Sequence, residues 1–437
     1  MKTTNYTISD IANAEWKAFA LYTIENRAIP SICDGLKPSQ RMYLYSSLVN
    51  SMKEFKKVSA VAGIVSDYGY NHGEASVAST GQLMAAEWNN NLCLVEGRGS
   101  FGTRLIQEAG APRYVYTRVH SNFHKYVKDI ELSPAHTDPE HIPPQYYLPV
   151  IPLVIVNGSK GIATGFATNI LPRSVASVKS ACSEYIKTGK IKNRLEISFP
   201  QFKGTVVYDP VLDKYSCIGT FTRQGKTKLT ITEVPYGFDR ESYIKILDSL
   251  EDAGDIVSYE DKCNANGFAF DVKLKSHSAE WNNDKIIKEF KLAKSHTENL
   301  TVIDQHGKLR EYKDERDLIK DFCDFRITIL QKRIDRNIEI ATEESRWLNV
   351  KMEFILGVLN GKIVFKNNKK DVVIEHIVKH TAALPKDYTR LFNINLLSLT
   401  LEQVDDLKKQ VDDCQTKIKY WKSTTPKDQF ILDLQGI

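Results

Sequence analysis

No Cys-x-x-Cys pair occurs in this chain; its seven cysteines (Cys33, Cys93, Cys182, Cys217, Cys263, Cys323, Cys414) are scattered and odd in number. That usage fits a reducing compartment and argues against a zinc site. Long apolar runs are missing too. The longest, Leu148–Val156, is interrupted by prolines and is too short to cross a bilayer. The opening MKTTNYTISD lacks the apolar stretch of a secretory leader, so the expectation is a cytoplasmic protein without membrane contact. Strong net charge is absent as well: +5 over 437 residues does not by itself argue for nucleic acid. The charge is unevenly placed, however. Between Lys37 and Lys128 eleven Lys/Arg stand against six Asp/Glu, a local positive footprint. The remaining composition, 42% hydrophobic and 26% charged, is that of a soluble globular protein with room for two to four domains.

Two nucleotide-binding signatures are approached and not completed. Gly97-Arg98-Gly99-Ser100-Phe101-Gly102 satisfies GxGxxG. A dinucleotide fold also needs an uninterrupted helix, a second parallel strand and an acid about 20 residues on. Here Ala109–Pro112 would cut the helix, and the stretch Thr117–Asn122 holds no acid. These glycines more simply let the backbone approach a phosphate or a neighbouring loop. Gly219…Gly225-Lys226-Thr227 has one residue too many between its glycines for a P-loop, and Lys228 begins a strand pattern. This chain is therefore not expected to bind ATP.

Along the chain, Ile8 to about Asn26 reads as one helix, and Asp34-Gly35-Leu36-Lys37-Pro38 reads as a turn. The next helix has Arg41 near its start, with Leu44 and Leu48 on its buried face. Val58–Ser66 and Ala75–Trp88 are short helices joined by the glycine turn Asp67–Gly73, the outline of a helix-turn-helix. Asn91–Glu96 reads as a strand. The six prolines between 130 and 155 suggest a rigid crossing between domains, ending in an apolar strand, Leu153–Val156. A polar turn, Asn157–Gly165, follows, in which Ile162 sits among small residues; its plain reading is a plug into an adjacent domain. From Phe199 to Ile303 strands alternate with helices: Lys228–Val234 has period two, while Glu241–Ala253 and Glu280–Leu292 are helical.

The last third is helical. Leu330, Ile334, Ile338, Ala341, Ser345, Leu348, Met352, Ile355 and Leu359 step by three or four. A return helix starts at Thr400 with Gln403 in the capping-box position, and carries Val404, Leu407, Val411, Cys414, Ile418 and Trp421 on one stripe. Two such stripes joined by a compact segment, 362–398, imply an antiparallel coiled-coil hairpin bearing a small head. A strut of this kind holds something apart or dimerises at its tip.

The stretch Gly97–His120 concentrates the chemistry: four glycines, four arginines and two tyrosines. Arg113-Tyr114 follows Ala109-Gly110-Ala111-Pro112, a run that does not continue a helix. A tyrosine on irregular backbone beside a guanidinium is suited to attacking phosphate, since the arginine favours the phenolate and offers a planar fork to phosphate oxygens. Most of the 20 tyrosines in such a chain are packing residues, so local chemistry alone does not single out Tyr114.

The joint occurrence of several phrases does more. Asp34-Gly-Leu-Lys-Pro-Ser-Gln-Arg41, Asn71-His-Gly-Glu74, Glu96-Gly-Arg-Gly-Ser-Phe-Gly102, Ala111-Pro-Arg-Tyr114 and Asn157-Gly-Ser-Lys-Gly-Ile-Ala163 occur in this order. Together they resemble the breakage-reunion subunit of type IIA DNA topoisomerases, the family of the gyrase A protein. Tyr22–Pro30 and Glu140–Pro144 look most like its T-even-type bacteriophage members. The resemblance covers roughly residues 8–430. It implies an α+β multidomain fold: an N-terminal helix and winged-helix DNA-gate domain with the active-site tyrosine (1–150), a mixed α/β tower (151–312), and a long antiparallel coiled coil with a small helical head (313–437). The DNA-wrapping propeller of gyrase A is not expected.

The resemblance further implies that Tyr114 attacks a DNA phosphodiester and keeps the 5′-phosphate, with Arg113, Arg41 and His72 stabilising charge at phosphorus. Lys37, Ser76, Arg98 and Lys160 are the implied DNA contacts, and Ile162 the wedge between base pairs. The implied partners are double-stranded DNA, Toprim and ATPase chains, and a second copy joined through the winged helix and the coiled-coil tip. Mg2+ belongs on the partner's Toprim domain and ATP on a partner chain; no metal site is expected here. Tyr116 is a rival nucleophile, and Tyr70-Asn71-His72-Gly73 stands where bacterial members often have His-Pro-His-Gly. The competing reading is a non-catalytic architectural DNA binder using the same elements.

Overall fold

The computed structural model describes residues 7–437. Its helical opening runs through Ile8–Ile11, Ala12–Trp16, Lys17–Thr23 and Ile24–Ala28 without a break, the second and fourth segments being π-helical. It stops where Pro30 forces Ile29 into extended backbone (φ −100°, ψ 130°).

Three helices and a small sheet follow. Helix α1, Pro38–Asn50, starts with proline at its first position, and the Gln40 side chain accepts the Lys37 N–H at 2.9 Å. Helices α2, Val58–Gly63, and α3, Glu74–Ala85, lie against it. Small residues let them come close: a Cβ at Gly81 of α3 would collide with the Tyr43 ring of α1. Tyr43 in turn shares a 2.5 Å hydrogen bond with Thr117 of the sheet. That sheet joins β1, Lys56–Lys57, β2, Val95–Arg98, and β3, Tyr116–Val119, antiparallel in the order β1-β3-β2. Val58, Val61, Val77, Val95, Val115 and Val119 fill the space between, each contributing about 1.5–3 kcal/mol by leaving water.

Leu153–Val156, read as a strand, is a short helix, Leu153–Asn157, with all four apolar residues buried. A short apolar run buried on every side has no periodicity to betray its type, and Pro152 at the N-cap sets up a helical start. It delivers the chain to a hairpin of β4, Ser159–Ile162, and β5, Ala167–Ile170. Strand β4 packs on the opening helix: a Cβ at Gly161 would collide with the Ala28 carbonyl.

Seven more strands come next: β6, Thr205–Asp209; β7, Lys214–Ile218; β8, Thr220–Gln224; β9, Lys228–Glu233; β10, Ile256–Asp261; β11, Phe270–Leu274; and β12, Ala293–His296. They form a three-stranded sheet, β12-β7-β6, and a four-stranded sheet, β10-β11-β9-β8. The helices Arg240–Asp252 and Asn283–Glu289 bury Tyr243, Leu247 and Ile286 with Leu229, Ile231 and Phe270 in one core. Gly225-Lys226-Thr227 is the tight loop of the β8–β9 hairpin, where Gln224 pairs with Lys228.

Helix α4, Glu315–Leu359, is 45 residues long and starts well before the stripe that announced it. By contacts the chain divides into two compact units, 1–326 with 431–437, and 327–430. In the second unit α4 packs with α5, Leu401–Ser423, whose Thr400 cap accepts the Gln403 N–H at 3.2 Å. Leu348 and Ile355 meet Val404, Leu407, Val411 and Cys414 in a core shared with Ile363, Val373, Ile377 and Leu391 of the short helical segment between them. No helix among the described residues is long and apolar enough to cross a membrane.

Candidate functional site

Tyr114 sits on a tight turn between the glycine-rich loop and β3. The turn closes with the Tyr114 N–H on the Ala111 carbonyl at 2.8 Å. The start of α2 holds it on both sides: the Ser59 N–H donates to the Pro112 carbonyl (3.1 Å) and the Val58 N–H to the Val115 carbonyl (3.0 Å). Helix-start amides that have no partner inside α2 thereby fix the turn, and no side chain of the turn is used up in doing so. The Tyr114 ring is accordingly 69% exposed, the most exposed tyrosine among the described residues. The Arg113 guanidinium carbon lies 5.0 Å from its ring centroid. Tyr116, the rival, stands inside β3, half-buried between Lys57 and Arg98 of the flanking strands.

The Asp34–Arg41 phrase folds differently. Asp34 is buried and accepts from Arg41 Nε (2.7 Å) and Nη2 (3.0 Å), from the Leu36 N–H (3.0 Å) and from the Tyr147 N–H (3.1 Å). Arg41 is 8% exposed, and its Nη2 also donates to the Leu36 carbonyl. This pair orders the turn and leaves Lys37 on its outer side.

Lys37 opens onto a cleft of about 980 Å³. Arg27, His72, Ser76 and Lys160 line it with Lys37, and Lys294 and His296 line it from β12. The Lys37 ammonium donates to the Lys160 carbonyl at 2.6 Å, and burial draws its pKa below the ordinary lysine value. His72 is held by the opening helix, with Nε2 2.9 Å from the Tyr22 hydroxyl, and lies edge-on to Tyr70. Burial and the neighbouring Lys294 lower the His296 pKa, and its Nε2 is buried without a hydrogen-bond partner. The cleft is therefore lined by groups that bind anions.

The expected site residues are thus distributed over several places. Lys37, His72, Ser76 and Lys160 share the cleft; Arg113 and Tyr114 do not line it. Arg41 is locked in its ion pair, which conflicts with its expected direct contact to phosphate: two of its donor nitrogens are already bound within the protein. Arg98 ends β2 beside the Phe55 ring, 6.0 Å from its centroid. Ile162 ends β4 at the hairpin tip, 82% exposed, so it plugs into nothing among the described residues. Among the described residues no group of three or more His, Cys, Asp or Glu is placed to hold a metal ion.

Comparison with known proteins gives this arrangement a context. The family model for the A-type polypeptide of DNA gyrase/topoisomerase IV matches residues 27–435. The chain belongs to that family. It is 40% identical to the DNA topoisomerase medium subunit of Enterobacteria phage T4, with all of both chains aligned. It is 28% identical to the mitochondrial DNA topoisomerase 2 of Dictyostelium discoideum, across 99% of this chain and 35% of that protein. A crystal structure of the Plasmodium falciparum topoisomerase II DNA-binding, cleavage and re-ligation domain superimposes with a TM-score of 0.86 at 27% identity, covering 98% of this chain and 63% of that one. The chain thus spans the whole phage protein but only about a third of the Dictyostelium relative. The likeness to a topoisomerase cleavage domain extends through both units, and the mixed α/β fold is the one the family implies.

Three residues of this topoisomerase-family chain escaped the sequence reading. Arg27 lines the cleft, although nothing in its own stretch of sequence sets it apart. Lys294 reaches the cleft from β12, where it joins Tyr236 and Gly237, far along the chain from Lys37, His72 and Lys160. Phe166 stands exposed on the same hairpin tip as Ile162, and its setting between Gly165 and Ala167 was the same signal that singled out the isoleucine.

Proposed function

We propose that this chain is the DNA breakage-reunion subunit of an ATP-dependent type II topoisomerase, and that Tyr114 is its nucleophile. The observation that carries the reading is the turn itself: an exposed phenol on backbone-fixed structure, with a guanidinium against its ring, in a topoisomerase-family chain. The Tyr114 oxygen attacks phosphorus, an O–P ester forms to tyrosine, and the bond to the 3′ oxygen breaks. The phenolic proton is given up and the departing 3′ oxygen takes one up, so the step conserves both charge and bond type. Attack by that 3′ hydroxyl on the phosphotyrosyl ester reseals the strand. Arg113 stabilises the charge that develops on the phosphoryl oxygens. Lys37, Ser76 and Lys160 bind backbone along the cleft, with Arg98 on the sheet edge, and His72 stabilises charge at phosphorus. Arg41 acts from behind, by fixing the turn that presents Lys37. Ile162 is the wedge that bends the cut duplex.

The domains in this reading are a winged helix (1–150), a tower (151–312) and a coiled coil with a head (313–437). The helix-sheet layer with β1-β3-β2 supports the first, and the core between α4 and α5 supports the third. Tyr114 does not line the cleft of its own chain, which favours the homodimer: a second copy brings a tyrosine to each cleft. Leu396 and Leu397, before α5, and Leu401, at its start, are exposed and suit dimer contact at the coiled-coil tip. In this reading Mg2+ is held by a partner's Toprim domain and ATP is hydrolysed by a partner ATPase. The site of action is the cytoplasm, that of the host if the gene is a phage's.

The test is a covalent trap. The chain, its partner subunits, supercoiled DNA and magnesium are mixed, denatured and assayed for DNA joined to protein. Adduct dependent on Tyr114 is expected. DNA binding with no adduct under any condition would leave an architectural DNA binder instead.

A further inference from the structure

Ten residues before Tyr114, the same loop carries an arginine that the mechanism does not use. Arg104 is buried, with its guanidinium carbon 5.4 Å from the Phe202 ring, 5.3 Å from Tyr236 and 5.4 Å from Phe268. Its Nη1 lies 3.2 Å from Glu233 Oε1, and its Nη2 points to the Val234 carbonyl at 3.4 Å. Glu233, at the end of β9, is held in turn by the Lys203 and Val234 N–H groups. Leu105 follows into the core under the four-stranded sheet, and its carbonyl accepts the Arg240 N–H at 3.0 Å. The middle of the tyrosine loop is therefore built into the sheet domain.

Its far end belongs to the helical layer. Gln82 of α3 donates to the Gly110 carbonyl at 2.6 Å, the Gly110 N–H reaches the Ser100 carbonyl, and α2 clamps the turn around Tyr114. One short segment, Ile106–Ala109, separates the two moorings. A cationic anchor is also a costly way to fill an aromatic pocket. Burial works against the Arg104 charge and Glu233 supports it, whereas a leucine would fill the space without any ionic penalty. What the cation adds, caged by three rings and paired with Glu233, is a fixed register of the loop on the sheet domain.

We propose that Arg104 is a positioning residue for Tyr114, mooring the nucleophile's loop to the sheet domain so that the geometry of attack follows that domain's position on DNA. This rests on Tyr114 being the nucleophile, as argued above. The experiment uses the chain reconstituted with its partner subunits, and measures single-turnover adduct formation at saturating DNA alongside DNA affinity. Arg104→Ala is expected to slow the covalent step roughly 10- to 100-fold, the scale of a small misplacement of a reacting group. Affinity, carried by phosphate contacts elsewhere, should stay within about twofold. Arg104→Lys keeps a cation among the rings and should recover most of the rate. Glu233→Gln, which preserves shape, should slow the same step less, and it carries the test if Arg104→Ala does not fold. A wild-type covalent rate in Arg104→Ala or in Glu233→Gln overturns the mooring, as does a loss confined to affinity or one that Arg104→Lys leaves uncorrected. Absence of Tyr114-dependent adduct in the wild-type assembly sinks the nucleophile assignment itself, and is read separately.

Discussion

Two turns of the first unit are built on opposite plans. The Asp34–Arg41 turn is held by its side chains: a buried carboxylate gathers an arginine and two backbone amides, and nothing charged is left over except Lys37. The Ala111–Tyr114 turn is held by backbone alone, through the start of α2, and its arginine and tyrosine project outward. Both are short, both sit before a regular element, and both carry an arginine in a conspicuous phrase. The fold consumes one arginine and spares the other. A residue's chemistry is available for function only where the local structure has found another way to hold itself.

The largest effect is expected at the exposed turn. Tyr114→Phe removes the phenolic oxygen and nothing that holds the backbone, so adduct formation and relaxation should be abolished. DNA affinity, measured by filter binding or anisotropy, should be nearly unchanged. Tyr116→Phe should retain the adduct, because Tyr116 lies within β3. Adduct from the Tyr114 variant, or its loss in the Tyr116 variant, would move the nucleophile.

At the buried turn the same kind of change should cost stability first. Asp34→Asn leaves Arg41 with an uncompensated buried charge, which typically destabilises by about 3–5 kcal/mol. Denaturant unfolding should show it, whereas Arg113→Gln on the exposed turn should lie within about 0.5 kcal/mol of the parent. Equal stability of Asp34→Asn and the parent would show that the knot is not what holds the turn.

The contrast also explains what could be read in the sequence. Helix starts at Pro38 and Thr400 and the stripes of α4 and α5 were legible because their signals are local. The tyrosine turn was legible for the same reason: a Gly/Ala/Pro run announces irregular backbone. Arg41 was expected at phosphate, but its side chain meets Asp34, seven residues earlier in the same phrase. The Asp34 carboxylate that holds it is also bound by Tyr147, 113 residues away. The Arg104 cage draws on Phe202, Tyr236 and Phe268, which no spacing in the chain associates with it. Leu153–Val156 failed for another reason, since burial on all sides erases periodicity. Family resemblance named the candidate site residues, but it did not reveal that Arg41 is buried and Arg113 exposed.

Ile162 sharpens the comparison at a third turn. The β4–β5 hairpin is fixed along β4, by Gly161 against Ala28 and by Lys37 on the Lys160 carbonyl, while its tip holds Ile162 in the open. Ile162→Ala should therefore change stability by no more than about 0.5 kcal/mol. It should reduce the bend of bound DNA, read by fluorescence transfer between labelled duplex ends, and weaken cleavage in proportion. An unchanged bend removes the wedge role. Phe166→Ala tests whether the tip acts as a pair.

The smallest effect belongs to the second unit, where side chains again hold a turn, around a buried Asp387 with Glu343 at the surface. Arg346 pairs with Asp387 through Nη1 (2.8 Å) and Nη2 (2.9 Å) and with Glu343 through Nε and Nη2 (both 2.8 Å), and Lys386 adds a 2.7 Å contact to Glu343. The Asp387 carboxylate also caps the Leu384 N–H, so the network ties the segment before the helix Tyr388–Phe392 to α4. Hydrogen bonds from Arg346 hold the Asp387 pKa below its ordinary value, and those from Arg346 and Lys386 bring Glu343 down to about 2. A carboxylate whose pKa is lower in the folded state contributes stability in full above its unfolded pKa, near 4, and loses it as pH falls through the folded value. Hydrogen exchange of residues 381–392 should therefore speed up as pH drops from about 4.5 toward about 2, after correction for intrinsic rates. Because Glu343 is solvent-exposed, salt should weaken its part of the effect. Arg346→Ala should give fast exchange throughout and a flatter pH dependence. A parent protein with no acid-dependent opening of this segment, or a variant whose profile follows the parent's, would mean that the ion pairs decorate the turn without holding it.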